Sequence, residues 1–161
     1  MHLQFVGCGD AFGSGGRLAT CFHVVGAGAN FLIDCGASSL IGLNRLGIAR
    51  ETIDAILVTH FHGDHFGGLP YFVLDAHFGK RGRPLVVAGP PGIDSWLVRA
   101  MEAAFEHFSK ITLGFELRER RHRRQVQWRD TALVTSVPRM LRGPPAPQPQ
   151  SRRSTLYGHV S

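Results

Sequence analysis

Four side chains that could ligate a metal ion fall within six residues of this sequence: His60, His62, Asp64 and His65. Imidazole nitrogens and carboxylate oxygens together suit Zn²⁺ and similar divalent ions. Such an ion lowers the pKa of a bound water to about 7, and a carboxylate beside it can orient that water or take its proton. The cluster therefore predicts a hydrolytic metal site, and the alternative interpretation is a polar surface loop.

The spacing within the cluster favours two adjacent ions. Histidines at positions i and i+2, on a loop that leaves a strand, can point at one ion. The Asp and His at i+4 and i+5 can reach a second ion, and in two-metal hydrolytic sites the ions lie ~3.5–4 Å apart. Gly63, Gly67 and Gly68 permit the tight turn and the close approach of backbone that such a site requires.

The hydrophobic pattern predicts a scaffold of strands and helices that would position the cluster. Strands first, followed by alternating strands and helices, predict an α/β fold with mixed sheets. The cluster directly follows the strand predicted over 55–59. The other predicted strands cover 3–6, 19–25, 30–34, 85–89, 111–117 and 132–137, and the predicted helices cover 38–46, 69–78 and 93–107.

Length and composition indicate one globular domain. The 161 residues suffice for one core, 43% are hydrophobic, and no apolar run approaches the roughly 18 residues that span a bilayer. The start lacks a basic segment followed by a long apolar stretch, so no signal peptide is expected. The three cysteines, Cys8, Cys21 and Cys35, are odd in number and lack paired short spacing, so a reducing cytoplasm is expected.

The net charge of +6 originates in the last quarter of the chain, where residues 118–161 carry ten arginines against two acids. The basic run at 118–124 could bind RNA phosphates, and the alternative is a solvated hairpin or loop between two strands. From about Pro138 proline and arginine dominate and hydrophobic periodicity ends. Residues 138–161 are therefore predicted to be a Pro/Arg-rich disordered tail, and residues 1–137 to be the folded domain.

The sequence of the cluster and its surroundings resembles the metallo-β-lactamase superfamily. Thr-His-Phe-His-Gly-Asp-His at 59–65, followed by Gly-Gly-Leu-Pro at 67–70, is similar to the signature of that superfamily. Gly-Cys-Gly-Asp-Ala-Phe at 7–12 resembles its N-terminal loop, and Leu-Ile-Asp-Cys-Gly at 32–36 resembles its strand that ends in Asp-x-Gly. Among the branches, the resemblance is greatest to ribonuclease Z and its relatives.

This resemblance implies an αββα sandwich with the metal ions at one edge. It implies that His60 and His62 bind a first Zn²⁺, that Asp64 and His65 bind a second, and that Asp64 also helps to activate the water. Mn²⁺ or Fe²⁺ are the alternatives to zinc, and Asp34 would support the metal loop. The implied function is a metal-dependent hydrolase, a ribonuclease Z-like phosphodiesterase that acts on a phosphodiester such as RNA.

The chain departs from the pattern of the superfamily after Val137. A later His, a bridging Asp and a last His are expected there, but His159 is the sole later histidine and no acid follows Asp130. The chain is therefore expected to provide the N-terminal half to two-thirds of the sandwich, and a frameshift near codon 137 is one hypothesis for the change. Half a sandwich would leave an apolar sheet face uncovered, which predicts a homodimer or another oligomer.

Several other interpretations of the sequence remain open. Another hydrolase of the same fold would act on a lactone, a thioester or another phosphoester. A catalytically inactive remnant or an RNA-binding module that uses the basic tail is the alternative from another class. Ordinary structural roles are expected for His23, His77 and His107, and the cysteines are expected to be small buried hydrophobic residues.

Overall fold

The structure, a computed structural model, describes residues 1–26 and 28–121, and these form one six-stranded sheet with helices between its later strands. The predicted strand over 132–137 and the predicted tail over 138–161 lie outside the described residues. The strands are β1 (His2–Gly7), β2 (Cys21–Gly26), β3 (Ala29–Ile33), β4 (Ala55–Leu57), β5 (Leu85–Gly89) and β6 (Leu117–Arg121). The helices are α1 (Ser39–Arg45), α2 (Gly63–Phe66), α3 (Leu69–Phe78) and α4 (Ile93–Ala104), and short 3₁₀ turns cover Ser14–Gly16, Arg50–Thr52 and Phe108–Lys110.

The strands follow one another in the sheet in chain order, with an antiparallel first half and a parallel second half. β1 pairs with β2 and β2 with β3 in antiparallel register, whereas β3, β4, β5 and β6 pair in parallel. Parallel neighbours need a crossover connection, and the helices supply these connections. The carboxyl ends of β1, β3, β4 and β5 consequently lie at the same edge of the sheet.

The two faces of the sheet are buried to different extents. The larger core contains Leu32, Ile56 and Val87 on one face together with Leu43 of α1, Phe72 of α3 and other helix residues. The opposite face carries a smaller cluster of Val24, Phe31 and Ala55, and within the described residues strand side chains alone contribute to it. The helices that support the carboxyl edge therefore pack on one face of the sheet.

The predicted mixed α/β fold is confirmed, and most predicted elements lie where expected. α3 and β5 have the predicted bounds, 69–78 and 85–89. α4 begins at Ile93 as predicted and ends at Ala104 rather than at 107, where His107 has a left-handed φ of 68°. None of the helices in the described part of the chain is long and apolar enough to cross a membrane.

The predicted strand over 111–117 is wrong. Ile111, Leu113 and Phe115 alternate in the sequence because each packs against the core from an irregular segment. The last strand within residues 1–121 is instead β6, whose sequence Leu-Arg-Glu-Arg-Arg is mostly exposed. The described part of the 118–124 run is thus a strand parallel to β5, and residues 122–124 lie outside the described part of the chain.

Candidate metal site

The metal-ligand cluster lies at the carboxyl edge of the sheet, immediately after β4. The chain leaves β4 at Leu57 and passes through Thr59 and His60, and α2 then returns Asp64 and His65 to the same place. The ring centroids of His60 and His62 are 4.7 Å apart, and those of His60 and His65 are 4.0 Å apart. The predicted loop therefore contains one short helical turn, and this turn brings the three imidazoles together.

A buried carboxylate beneath the cluster organises it. Asp34 directly follows β3, is 2% exposed, and has a left-handed φ of 61°, which is uncommon for a residue other than glycine. Its Oδ1 accepts hydrogen bonds from the backbone N–H of Thr59 at 2.7 Å and from the Thr59 hydroxyl at 2.9 Å. Its Oδ2 accepts a hydrogen bond from Nδ1 of His65 at 2.7 Å. The strained backbone thus places one carboxylate beneath both ends of the cluster.

These hydrogen bonds fix the tautomers of two histidines. A carboxylate accepts hydrogen bonds and cannot donate them, so Nδ1 of His65 must carry its proton. The Thr59 hydroxyl donates its single proton to Asp34, so at 3.0 Å it accepts from Nδ1 of His60. In the neutral imidazoles, the lone pairs therefore lie on the Nε2 atoms of His60 and His65. A histidine that binds a metal generally has its other ring nitrogen held by such a partner.

The spacing of Asp64 and His65 suits two ligands of one ion. Oδ2 of Asp64 lies 3.4 Å from Nε2 of His65. Two ligands held at about 2.0–2.1 Å by a tetrahedral ion are separated by about 3.3–3.4 Å. The donor pair therefore fits a divalent metal both in its chemistry and in its separation.

The described residues provide an incomplete ligand set for any one ion. Within residues 1–26 and 28–121, no group of three or more His, Cys, Asp or Glu side chains is arranged to hold a metal ion. Catalytic zinc usually has three protein ligands. The structure thus places the four predicted residues together, and each ion would need further ligands from outside the described residues.

The electrostatic surroundings favour the neutral form of His60. Partial burial lowers its pKa from the ordinary value of 6.5, and the neighbouring His65 and His62 lower it further, while Asp34 and Asp64 oppose this effect. A metal ion binds the neutral imidazole. The lowered pKa therefore keeps His60 in the form that can coordinate a metal at neutral pH.

Close backbone contacts fix the loop that carries Asp34 against the metal-ligand cluster. The backbone N–H of Cys35 donates to the carbonyl of His65 at 2.7 Å, and that of Gly68 donates to the carbonyl of Cys35 at 2.8 Å. A Cβ added at Gly36 would lie 2.1 Å from the carbonyl oxygen of Asp64, and one at Gly68 would lie 2.2 Å from that of Gly36. Only glycine permits this approach, and it lets the two loops pack directly against each other.

Among the described residues, His23, His77 and His107 take no part in this cluster, whereas the backbone of Cys35 contacts it. His23 is buried on β2 and its Nε2 lies 2.7 Å from the Asn30 side chain, while Nδ1 of His77 accepts from the backbone N–H of Gly114. His107 is exposed. Cys21 and Cys35 are buried as predicted, whereas Cys8 is exposed and is not the buried hydrophobic residue that was expected. The contribution of Thr59 was not predicted, because a threonine before a histidine carries no distinctive spacing.

The fold and its edge site define the class of this protein. The chain is similar to the short form of human tRNase Z, with 29% identity and a TM-score of 0.62 over 74% of this chain and 43% of that chain. It also shares the fold of the metallo-β-lactamase fold protein YhfI from Bacillus subtilis, with 22% identity and a TM-score of 0.51 over 74% of this chain and 46% of that chain. The predicted relation to the ribonuclease Z-like branch of the metallo-β-lactamase superfamily is confirmed.

Sequence relatives identify the family within that superfamily. The model of the family described as Anti-Pycsar protein Apyc1 matches residues 1–139, so the chain belongs to this family. The Anti-Pycsar protein Apyc1 of Saccharibacillus brassicae is 32% identical over 73% of this chain and 49% of that protein. Ribonuclease Z of Agathobacter rectalis is 42% identical over 48% of this chain and 25% of that protein. The chain thus spans between a quarter and a half of the length of these relatives.

Proposed function

We propose that this protein is a metal-dependent phosphodiesterase whose His60–His65 cluster holds two divalent ions. The observation that carries this proposal is the hydrogen-bonded series from His60 through Thr59 to Asp34 and on to His65. It uses both Nδ1 atoms and leaves both Nε2 lone pairs free for coordination. A left-handed backbone at a residue other than glycine costs free energy, and such strain is typical of functional sites, as expected if Asp34 orients metal ligands.

In this proposal His60 and His62 hold one ion, and Asp64 and His65 hold the other. Zn²⁺ suits these donors best, and Mn²⁺ or Fe²⁺ are the alternatives. The His60 and His65 rings are nearest neighbours at 4.0 Å, so the two ligand pairs adjoin. Groups outside the described residues, or water, would fill the remaining coordination positions.

The proposed reaction is the hydrolysis of a phosphodiester. When bound, the divalent ions supply Lewis acidity, which activates water at neutral pH and stabilises negative charge on phosphoryl oxygens. Asp64 is the residue that would orient the water and accept its proton, because its carboxylate lies beside the imidazoles and is partly exposed. Thr59 and Asp34 hold Nδ1 of His60 and of His65, which would leave the Nε2 atoms as the coordinating nitrogens. Relatives named ribonuclease Z and tRNase Z support RNA as a substrate class.

The test combines metal analysis with an activity assay. The purified protein should bind close to two equivalents of Zn²⁺ and should hydrolyse bis-p-nitrophenyl phosphate with Zn²⁺ or Mn²⁺. His62→Ala should lose this activity, whereas His2→Ala, on the exposed start of β1, should retain it. A protein that binds metal but hydrolyses lactones or thioesters in preference to phosphodiesters would refute the choice of substrate. One that binds no metal would refute the whole proposal.

A reducing compartment such as the cytoplasm is also proposed, because Cys21 and Cys35 are buried as free thiols.

A homodimer is proposed as well, since the second face of the sheet exposes apolar side chains such as Leu3 and Phe5 at its edge. Sedimentation of the purified protein tests the dimer, and a monomer at micromolar concentration would contradict it.

A further inference from the structure

An exposed aromatic ring projects from the same edge of the sheet as the metal-ligand cluster. Phe12 belongs to the loop between β1 and β2, and it is 91% exposed. β1 ends at the carboxyl edge, so this loop emerges beside the loops that carry Asp34 and the histidines. A phenylalanine with so much of its surface in water offers both faces of its ring to a ligand.

Hydrogen bonds hold the backbone of the loop that carries this ring. Oδ1 of Asp10 accepts hydrogen bonds from the backbone N–H groups of Phe12 at 3.1 Å and of Ser14 at 3.0 Å. Hydrogen bonds from Ser14 lower the pKa of Asp10 to about 2, so the carboxylate stays ionised and keeps accepting. Nε of Arg17 donates to the carbonyl of Ser14 at 3.2 Å, and the backbone N–H of Gly9 donates to the carbonyl of Leu18 at 2.7 Å. A ligand would therefore meet a loop whose backbone is already held in place, which lowers the entropic cost of binding.

The base of the loop is in contact with the candidate metal site. The backbone N–H of Gly36 donates to the carbonyl of Thr20 at 3.1 Å. A Cβ added at Gly36 would lie 2.7 Å from Cβ of Ala19 and 2.1 Å from the carbonyl oxygen of Asp64. One glycine thus separates the loop from the residue proposed to orient water. A substrate phosphate at Asp64 would bring its neighbouring groups close to this loop.

We propose that Phe12 is the stacking platform for a nucleobase of the substrate, and that the exposed guanidinium of Arg17 on the same loop supplies positive charge for its phosphate. Aromatic side chains together with a positively charged surface are the usual means of binding a nucleotide without hydrogen-bond readout of the base. This inference deepens the proposed function, since it specifies a phosphodiester that bears a nucleobase. It concerns binding, and so it can be tested separately from catalysis.

The test compares a ligand that has a base with one that lacks it. Dissociation constants for adenosine 5′-monophosphate and ribose 5-phosphate would be measured by calorimetry, with Zn²⁺ and again with a chelator. Stacking contributes about 1–3 kcal/mol per base, so Phe12→Ala should weaken nucleotide binding by about 5- to 150-fold. Its affinity for ribose 5-phosphate should not change, and Phe12→Trp should retain the preference for the nucleotide.

Two further variants separate this role from general surface effects. Phe78→Ala removes another exposed ring, 65% exposed, at the end of α3 and the opposite edge of the sheet, and it should not alter either affinity. Arg17→Gln should weaken both ligands by a similar factor, because it removes charge rather than stacking. These two controls assign any loss of base preference to Phe12.

Each outcome decides between the proposals. Equal loss of both ligands in Phe12→Ala, or no preference for the nucleotide in the parent protein, overturns the platform. If the parent protein shows no preference for the nucleotide, the exposed Phe12 ring would instead be assigned to contact with a protein partner. A base preference that depends on Phe12, in a protein that hydrolyses no phosphodiester, would refute the proposed function and leave the platform standing.

Discussion

The two edges of the sheet hold buried polar networks of opposite character. At the amino edge, Arg81 is 4% exposed and uses all its guanidinium N–H groups on five backbone carbonyls. The acceptors include Ile53 at 2.7 Å, two residues before β4, and Pro84 at 2.9 Å, directly before β5. At the carboxyl edge, Asp34 likewise gathers several donors beneath the ends of β3 and β4.

The two networks differ in whether any donor or acceptor atom is left without a hydrogen-bond partner. The remaining carbonyls bound by Arg81 belong to Arg50, Glu51 and Arg83, and no guanidinium donor is left over. The Asp34 network instead ends in two imidazoles whose Nε2 lone pairs remain available. A network with no spare donor stabilises the fold, whereas one that ends in spare acceptors can bind a ligand. The amino edge therefore stabilises the fold, and the carboxyl edge is where we propose that a ligand binds, as in other α/β sheets.

The largest effect is expected at the amino edge. Burial lowers the pKa of Arg81, yet the guanidinium remains charged, and its removal would leave buried carbonyls without donors. We expect Arg81→Met to reduce the free energy of unfolding by about 3–5 kcal/mol, measured by urea denaturation. Arg83→Met, which breaks a more exposed ion pair with Asp54, should cost less than about 1 kcal/mol. Equal costs for the two variants would mean that the Arg81 network does not stabilise this edge.

A smaller effect on stability, but a large one on metal binding, is expected from Asp34→Asn. Asparagine tolerates the left-handed backbone, so the loop should keep its shape. Its amide cannot accept from all the donors that the carboxylate serves, so the tautomers of His60 and His65 are no longer fixed. Loss of such an outer partner typically lowers metal affinity by about 10–100-fold, which calorimetric titration with Zn²⁺ would measure.

A matched substitution at the amino edge provides the control for Asp34. Asp75 pairs with Arg50, with Oδ1 2.9 Å from Nη2, and lies on α3 near the end of the sheet that carries Arg81. Asp75→Asn should leave the Zn²⁺ affinity unchanged. If Asp34→Asn also left it unchanged, the hydrogen-bonded series would not prepare the histidines for a metal.

The residues at the carboxyl edge were more predictable from the sequence than those at the amino edge. His60, His62, Asp64 and His65 are adjacent in the chain, so their spacing alone predicts that they converge. Proline and glycine bound α3 and β5, which is why those bounds were predicted to the residue. Such predictions succeed because they depend on residues that are close together in the chain.

The parts that could not be predicted depend on contacts distant in the chain. The resemblance implied that Asp34 supports the metal loop, but its contact with Thr59, 25 positions further on, requires a left-handed φ at Asp34 that no sequence pattern signals. Arg81 follows Gly79 and Lys80 and has the appearance of a loop residue, yet tertiary contacts bury it. The alternation at 111–117 predicted a strand wrongly, because packing against a core from an irregular segment produces the same period.

Loss of an imidazole should cost the metal-free fold little. His62 is exposed, precedes α2, and makes no side-chain capping hydrogen bond to that helix. We expect His62→Ala to change the free energy of unfolding without metal by no more than about 0.5 kcal/mol, measured by urea denaturation in the presence of a chelator. A loss above about 2 kcal/mol would show that the carboxyl edge also contributes to stability and would weaken the contrast with Arg81.

The smallest effect concerns the reactivity of the cysteine thiols, which reports whether the loop beneath the carboxyl edge opens to solvent. Cys35 follows Asp34, and burial raises its pKa well above 9.0. Burial also raises the pKa of the nearby Cys21 to about 11, so only about one molecule in a thousand carries this thiolate at pH 8. Cys8 is exposed. Ellman's reagent should therefore titrate one thiol rapidly in the native protein and three after denaturation, and Cys8→Ser should abolish the rapid phase.

The contradicting result would be rapid labelling of the Cys8→Ser variant. Because the backbone of Cys35 hydrogen-bonds to His65, this result would mean that the loop beneath the histidines opens in solution. The Nε2 atoms would then not be held in place for a metal.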